Sequence, residues 1–169
     1  MQTLLPADVI AQRVREVAQE MARDYQGRPV VIVGILTGCL IFLADLVRQL
    51  DLHLQIHLVQ ASSYRGAATT PGALRLQLDN LPDLTGRHVL LIDDILDTGQ
   101  TLGKVVEVLK QRAPASVRVA VLLRKLGRQQ IHLEPNYVCF EIPDAFVVGY
   151  GLDFNDEYRH LPHIAVLPG

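Results

Sequence analysis

Tryptophan is absent from this chain of 169 residues, cysteine occurs only twice, and aromatic side chains make up 5% of it. Cys39 and Cys139 lie too far apart, and are too few, to form a disulfide framework. The fold must therefore rest on an apolar core, and both residues read as reduced thiols of a cytoplasmic protein. An excess of one charge is also missing: the net charge is −2, which argues against a broad basic face for nucleic acid. Met1 to Asp8 carries neither a basic start nor an apolar run, so no export signal is expected there. The most apolar stretch, Val30 to Ala44, falls short of the roughly 20 residues that a spanning helix needs. Gly34, Thr37 and Gly38 interrupt it, so a buried strand, a tight turn and a helix account for it better than a membrane span.

What is present is ordinary for a globular chain: 49% hydrophobic and 20% charged residues, enough for one core and one domain over 1–169. Ile10, Val14, Val17, Ala18 and Met21 recur at the helical period between Pro6 and Gly27. Val30–Val33 reads as a strand buried on both faces, and Leu40–Leu50 as a helix. Leu52, Leu54, Ile56 and Leu58 alternate with His53, Gln55 and His57, the pattern of a strand with one wet face. Residues 61–73 are small and polar, too long for a plain turn, and fit either a lid or a hairpin tip. Alternation resumes at Leu74, Leu76 and Leu78. A buried strand at Val89–Ile92, a helix at Leu102–Arg112 and strands at Val117–Leu123, Tyr137–Glu141 and Phe146–Val148 complete the pattern. Strands alternating with helices predict an α/β fold with a mostly parallel central sheet flanked by helices.

The chemistry concentrates at the end of one predicted strand. Leu90–Leu91–Ile92 delivers Asp93 and Asp94 to the sheet edge, where open parallel sheets bind ligands, and Asp97 follows. A lone Asp there would be read as a strand end or helix cap. Three within five residues, followed by Thr98–Gly99–Gln100–Thr101, point to function. Glycine lets a ligand approach the backbone, the following helix offers free N–H groups, and two hydroxyls add donors, which together make a phosphate cradle. Carboxylates beside such a cradle suit a ligand with both phosphate and hydroxyl groups, such as a ribose phosphate. Competing chemistries fail on residues. Gly34–Ile35–Leu36–Thr37–Gly38 lacks the lysine of a P-loop, and His53 and His57 have no third partner at zinc-site spacing. No G-x-S-x-G occurs.

The run LLIDDILDTGQT, residues 90–101, resembles the PRPP-binding motif of the type I phosphoribosyltransferases. The segment Phe140–Asp153 and the stretch Tyr158–Arg159–His160–Leu161–Pro162 are similar to the hypoxanthine-guanine branch of that family. The resemblance runs from Val30 to Val166 and implies a type I fold with a small C-terminal hood and a flexible lid loop. It implies purine salvage: Mg2+-dependent transfer of ribose 5-phosphate from PRPP to N9 of a 6-oxopurine, with release of pyrophosphate. Partners would be PRPP, the base and further copies of the chain in a homodimer or homotetramer, with no nucleic acid and no membrane.

Residue by residue, Asp93 and Asp94 match the pair that accepts hydrogen bonds from the ribose hydroxyls, and with Asp153 the residues placed around the metal. Asp97 matches the residue near purine N7, as general base or as electrostatic stabiliser of the cationic ribose. Thr98, Gly99, Gln100 and Thr101 match the 5′-phosphate cradle, with Gln100 where some relatives carry lysine. Thr37 and Gly38 match the pyrophosphate loop, where Thr37 departs from the common lysine, and Arg159 matches a further pyrophosphate contact. Lys125 matches the donor to the purine O6 and N7 edge, Phe146 the stacking ring, and Val147 a main-chain contact to the base, with Asp153 also on the base side. Ser63 and Tyr64 match the Ser–Tyr of the lid. Relatives preferring xanthine, and a PRPP-binding regulator on the same fold, stand as alternatives. The intact Asp97 and Asp153 weigh against the regulator.

Overall fold

Apolar runs and amphipathic helices sort themselves into two sheets in the computed structural model, which describes residues 1–63 and 74–169. The side chains of Ser62, Ser63 and Leu74 lie outside the described set, as does all of Tyr64. Among the described residues the main sheet has six strands: β2 (Val30–Leu36), β3 (Leu54–Ser63), β4 (Leu74–Gln77), β5 (His88–Leu96), β6 (Ser116–Lys125) and β7 (Tyr137–Ile142). Their spatial order is β4-β3-β2-β5-β6-β7, parallel throughout except for β4, which pairs antiparallel with β3 at the edge. Helices α1 (Ala7–Asp24) and α2 (Leu40–Val47) cover one face, and α3 (Gln100–Lys110) the other. Residues 30–35 of β2 are buried on both faces, as the continuous apolar run requires. Burying one such aliphatic side chain is worth about 1.5–3 kcal/mol, so the centre of the sheet is where this run is most stable.

The expected elements are present with shifted bounds: β5 runs past the expected end at Ile92 to Leu96, so Asp93 and Asp94 lie within it, and α3 spans Gln100–Lys110 rather than Leu102–Arg112. Helix α2 stops at Val47, because Gln49 and Leu50 turn back on Leu46 and Val47 with tighter amide–carbonyl bonds of 3.0 and 3.1 Å. Strand β3 runs on to Ser63, because β4 pairs with Gln60–Ser63 and extends the ladder into the small polar stretch. Its alternation is imperfect, since Ile56 on the predicted dry face is 45% exposed near the sheet edge.

A smaller antiparallel sheet stands over the main one, in the order β1-β9-β8. It joins β1 (Gln2–Leu5) to β9 (Ile164–Val166) and β8 (Val147–Val148). The hood is therefore not purely C-terminal: its edge strand comes from the first residues of the chain. Cys39 and Cys139 are free and buried, and no helix among the described residues is long and apolar enough to cross a membrane.

Candidate active site

The site forms where the sheet changes direction. From β2 the chain proceeds outward to β3, and from β5 outward to β6, so the β2–β5 boundary is the switch point at which open α/β sheets bind ligands. The ladder between β2 and β5 ends at Gly34↔Ile92, while β5 stays paired with β6 as far as Leu96↔Arg124. Beyond Ile92, β5 has lost its partner on one side, and Asp93 and Asp94 occupy the opening. A cleft of about 350 Å3 lies there, bounded by Thr37, Gly38, Asp93, Asp94, Asp97, Thr98–Thr101, Asp153 and Arg159 among others.

Asp93 is 8% exposed, an unusual burial for a carboxylate. Its Oδ1 accepts the Asp94 N–H at 2.9 Å, and Asp94 Oδ1 accepts the Ile95 N–H at 2.8 Å. Burial raises both carboxyls above the ordinary carboxylate range, Asp93 most strongly because the Asp94 charge adds to it. At Asp94 the backbone amides and the Arg159 guanidinium act in the opposite direction. Hydroxyl donors arriving at this pair would supply the compensation that the protein itself leaves incomplete.

The turn after β2 approaches from the other side of the opening. Its Leu36–Thr37 peptide bond is cis. Gly38 packs so closely on Asp94 that a Cβ would overlap the carboxylate. Beneath it, Cys39 is fully buried, and desolvation, with Asp93 and Asp94 nearby, pushes its thiol up to about 12.

The cradle is the start of α3. Gly99 holds φ +88°, a left-handed backbone, and supplies no side chain to cap the helix. The Gln100 N–H makes only a long bond of 3.4 Å to Thr98 Oγ1, and the start of α3 brings its share of positive dipole to the cleft wall. Thr98 and Thr101 border the same space.

Asp97 sits between two cations. Its Oδ1 accepts Arg128 Nε at 2.9 Å, and Lys125 Nζ is 3.5 Å from Oδ2. The Lys125 side chain, at the end of β6, is 11% exposed. Asp144 Oδ1 completes the group, 4.0 Å from Lys125 Nζ and 3.8 Å from Arg128 Nε. Arg159 donates Nη1 to the Gly151 carbonyl at 2.8 Å and sets Nη2 3.2 Å from Asp153 Oδ1.

The structure thus gathers Thr37, Gly38, Asp93, Asp94, Asp97, Thr98, Gly99, Gln100, Thr101, Asp153 and Arg159 at one cleft, and ties Lys125 to it through Asp97. Phe146 and Val147 are not on its wall. Phe146 is 52% exposed and meets Phe154 edge to face at 5.6 Å, and Val147 is buried in β8. Ser63 ends β3, and Tyr64 lies outside the described residues. Asp93, Asp94 and Asp153 do not converge into a ready-made metal cage: among the described residues no three Asp, Glu, His or Cys side chains are so placed. The reason is local, since Asp93 and Asp94 are turned to backbone amides, while Asp153 faces Arg159 and accepts the Asp156 N–H at 2.9 Å. Sequence reasoning missed Arg128 and Asp144, because nothing in the order of residues signals that the segment after β6 folds back onto Asp97.

Residues 2–155 match the family model described as the phosphoribosyl transferase domain. The chain is 41% identical over 164 residues to a hypoxanthine-guanine phosphoribosyltransferase of Streptococcus pneumoniae, covering 97% of this chain and 91% of that protein. A protein of the same name from Staphylococcus aureus is 40% identical over 166 residues, covering 98% and 93%. Among solved structures, a hypoxanthine phosphoribosyltransferase from Staphylococcus aureus superposes with a TM-score of 0.92 at 39% identity, covering 99% of this chain and 91% of that one. A Trypanosoma cruzi hypoxanthine phosphoribosyltransferase complexed with the product IMP superposes with a TM-score of 0.91 at 36% identity, covering 99% and 90%.

Proposed function

The chain belongs to the phosphoribosyl transferase family, and from that membership we propose that it is a purine-salvage enzyme, acting as a single domain on PRPP and a 6-oxopurine. It moves ribose 5-phosphate from PRPP to N9 of hypoxanthine or guanine, giving IMP or GMP and pyrophosphate. The observation that carries this reading is the cleft at the β2–β5 switch point, where an acidic pair, an open helix N-terminus and a cation-flanked carboxylate meet.

In the reaction the bond from C1′ to pyrophosphate breaks, the bond from N9 to C1′ forms, and the purine loses one proton. Asp93 and Asp94 accept hydrogen bonds from the 2′- and 3′-hydroxyls and lie beside the positive charge that builds on the ribose. The α3 N-terminus, with Thr98 and Thr101, holds the 5′-phosphate. Asp97 takes the proton at purine N7 and so directs electron density to N9. Lys125 donates to O6, which favours an oxo over an amino purine, and Phe146 offers an exposed ring to the base. Arg159, Thr37 and the backbone at Gly38 receive the pyrophosphate.

The lining residues suit Mg2+: they offer hard carboxylate oxygens, with no thiolate or imidazole among them, and the substrate brings phosphate oxygens of its own. Asp153 would hold the ion on the pyrophosphate side, and Asp93 and Asp94 would reach it through the ribose hydroxyls. When bound, it neutralises charge on the leaving group. The partner reading, a homodimer or homotetramer, is part of the same proposal.

A turnover assay with PRPP and Mg2+, offering hypoxanthine, guanine, xanthine, adenine and uracil in parallel, tests the reading. Nucleotide from hypoxanthine and guanine, abolished by EDTA, is the expected result. Turnover of xanthine or adenine alone would overturn the base assignment. Tight PRPP binding with no turnover of any base would favour a regulator.

A further inference from the structure

The segment after β6, residues 126–136, is absorbed by none of the roles above, yet it meets the catalytic segment in register. Arg128 Nε bonds Asp97 Oδ1 at 2.9 Å. The Gln130 N–H donates to the Thr98 carbonyl at 2.9 Å, and its side-chain Oε1 accepts Gln100 Nε2 at 3.2 Å. Ile131 comes next and lies over Gly99 and Gly103: a Cβ on Gly99 would stand 2.8 Å from Ile131 Cγ1, and one on Gly103 would overlap Ile131 Cδ1. Residues 128, 130 and 131 thus meet 97, 98, 100 and then 99 and 103, a strap laid along the cradle.

Gly103 makes the arrangement chemically specific. It lies inside α3, where glycine is the least favourable residue apart from proline. Its only visible return is the notch that admits the Ile131 side chain. The strap, α3 and β6 together border a groove of about 610 Å3 whose lining includes Gly103, Lys104, Glu107, Val119, Ile131 and His132, so the strap is not packed against α3 along its whole length. Within the segment, Gln129 Nε2 donates to the Ile131 and Leu133 carbonyls, and Arg124 holds Glu134, which stiffens the strap in the form that reaches the cradle.

We infer that residues 128–131 form a strap that positions the phosphate cradle, and that Ile131, seated in the notch left by Gly103, is its anchoring residue. Ile131 touches no reacting atom and acts through Gly99 and the start of α3. The inference rests on the transferase reading for the identity of the bound phosphate, and not for the strap itself.

The test is a compensating pair in the full chain. Gly103→Ala fills the notch with one methyl group, and Ile131→Val removes the Cδ1 that this methyl would strike. Gly103→Ala raises the KM for PRPP about tenfold with kcat within about threefold, and Gly103→Ala/Ile131→Val recovers most of that loss. A merely structural role would lower the amount of folded enzyme, and so the apparent kcat, without raising the KM for PRPP. An unchanged KM for PRPP in Gly103→Ala, or a double variant no better than the single one, overturns the proposal. Should Gly103→Ala fail to fold, Ile131→Ala empties the notch from the other side and must raise the same KM, or the proposal falls. Amide hydrogen exchange at Gln130, read without substrate, separates this inference from the transferase reading. Faster exchange in Ile131→Ala than in the parent chain supports the strap even if no base is turned over, and equal exchange defeats it even if hypoxanthine is.

Discussion

Asp97 and Lys125 lie at the ends of adjacent parallel strands with carboxylate and ammonium 3.5 Å apart, so the group assigned to the purine proton and the group assigned to purine O6 form a single charged unit before any base arrives. Arg128 shares the same carboxylate, and Asp144 balances both cations from the far side. The unit is about neutral, and a neutral purine entering it need not bring its own counter-charge.

Asp97→Asn removes the proposed proton acceptor and keeps the shape. Turnover should fall about a hundred- to ten-thousand-fold while the KM for PRPP changes little, because a general base acts in the transition state. Initial rates at varied PRPP check this, and a loss confined to PRPP binding would refute the role.

Lys125→Met removes the charged donor proposed for purine O6 and leaves Asp97 to Arg128. A hydrogen bond of this kind is worth about 1.5–3 kcal/mol, so the KM for hypoxanthine should rise roughly 10- to 100-fold. The preference for hypoxanthine over adenine should relax in parallel, and an unchanged ratio of the two would mean that O6 is read by another group.

Gly38→Ala places a methyl group where the Asp94 carboxylate stands. Relief requires either the turn or Asp94 to move, at about 1–3 kcal/mol. Both thermal stability and activity should drop together, as measured by denaturation and by PRPP kinetics on the same preparation.

Asp93→Asn should do the opposite to stability. A carboxyl whose pKa is raised on folding holds its proton more tightly in the folded state. The folded state therefore loses ground as pH climbs from the ordinary carboxylate range through the raised value. An amide carries no such penalty, so Tm at pH 8 without divalent cation should rise by the order of a few degrees. The gain should fade towards pH 4, while activity is lost. A Tm difference independent of pH would show that the buried charge is not its cause.

The two thiols give a simpler readout. Burial pushes both Cys39 and Cys139 up to about 12, so neither supplies thiolate at pH 8. A chromogenic disulfide reagent should label neither in the native protein and both after unfolding.

Much of this was legible in the residue order because burial imposes period. Val30–Val33 and Val89–Ile92 are strands because continuous β-branched and aliphatic runs are stable only between two helical layers. Asp93, Asp94 and Asp97 announced a site because three carboxylates near one strand end are too costly to be accidental. What stayed hidden depends on contacts between distant segments. Gln2–Leu5 is too short to signal a strand and becomes one only against Ile164–Val166. Arg128 and Ile131 look like surface-loop residues until the strap folds over Gly99. The three carboxylates assigned to a metal share a cleft, but their orientation follows from backbone amides and Arg159, which spacing does not encode.

The hood's sheet needs residues 2–5 and residues 164–166 at once, with β9 in the middle. The residues of the acidic pair, the cradle and Lys125 have all been made once β6 is complete, but β1 must wait unpaired until β9 is synthesised. During synthesis, then, the sheet carrying Val147 is the last part of the fold that can close. Val147, proposed as a contact to the base, is therefore the part of the site most exposed to damage near either of those two strands.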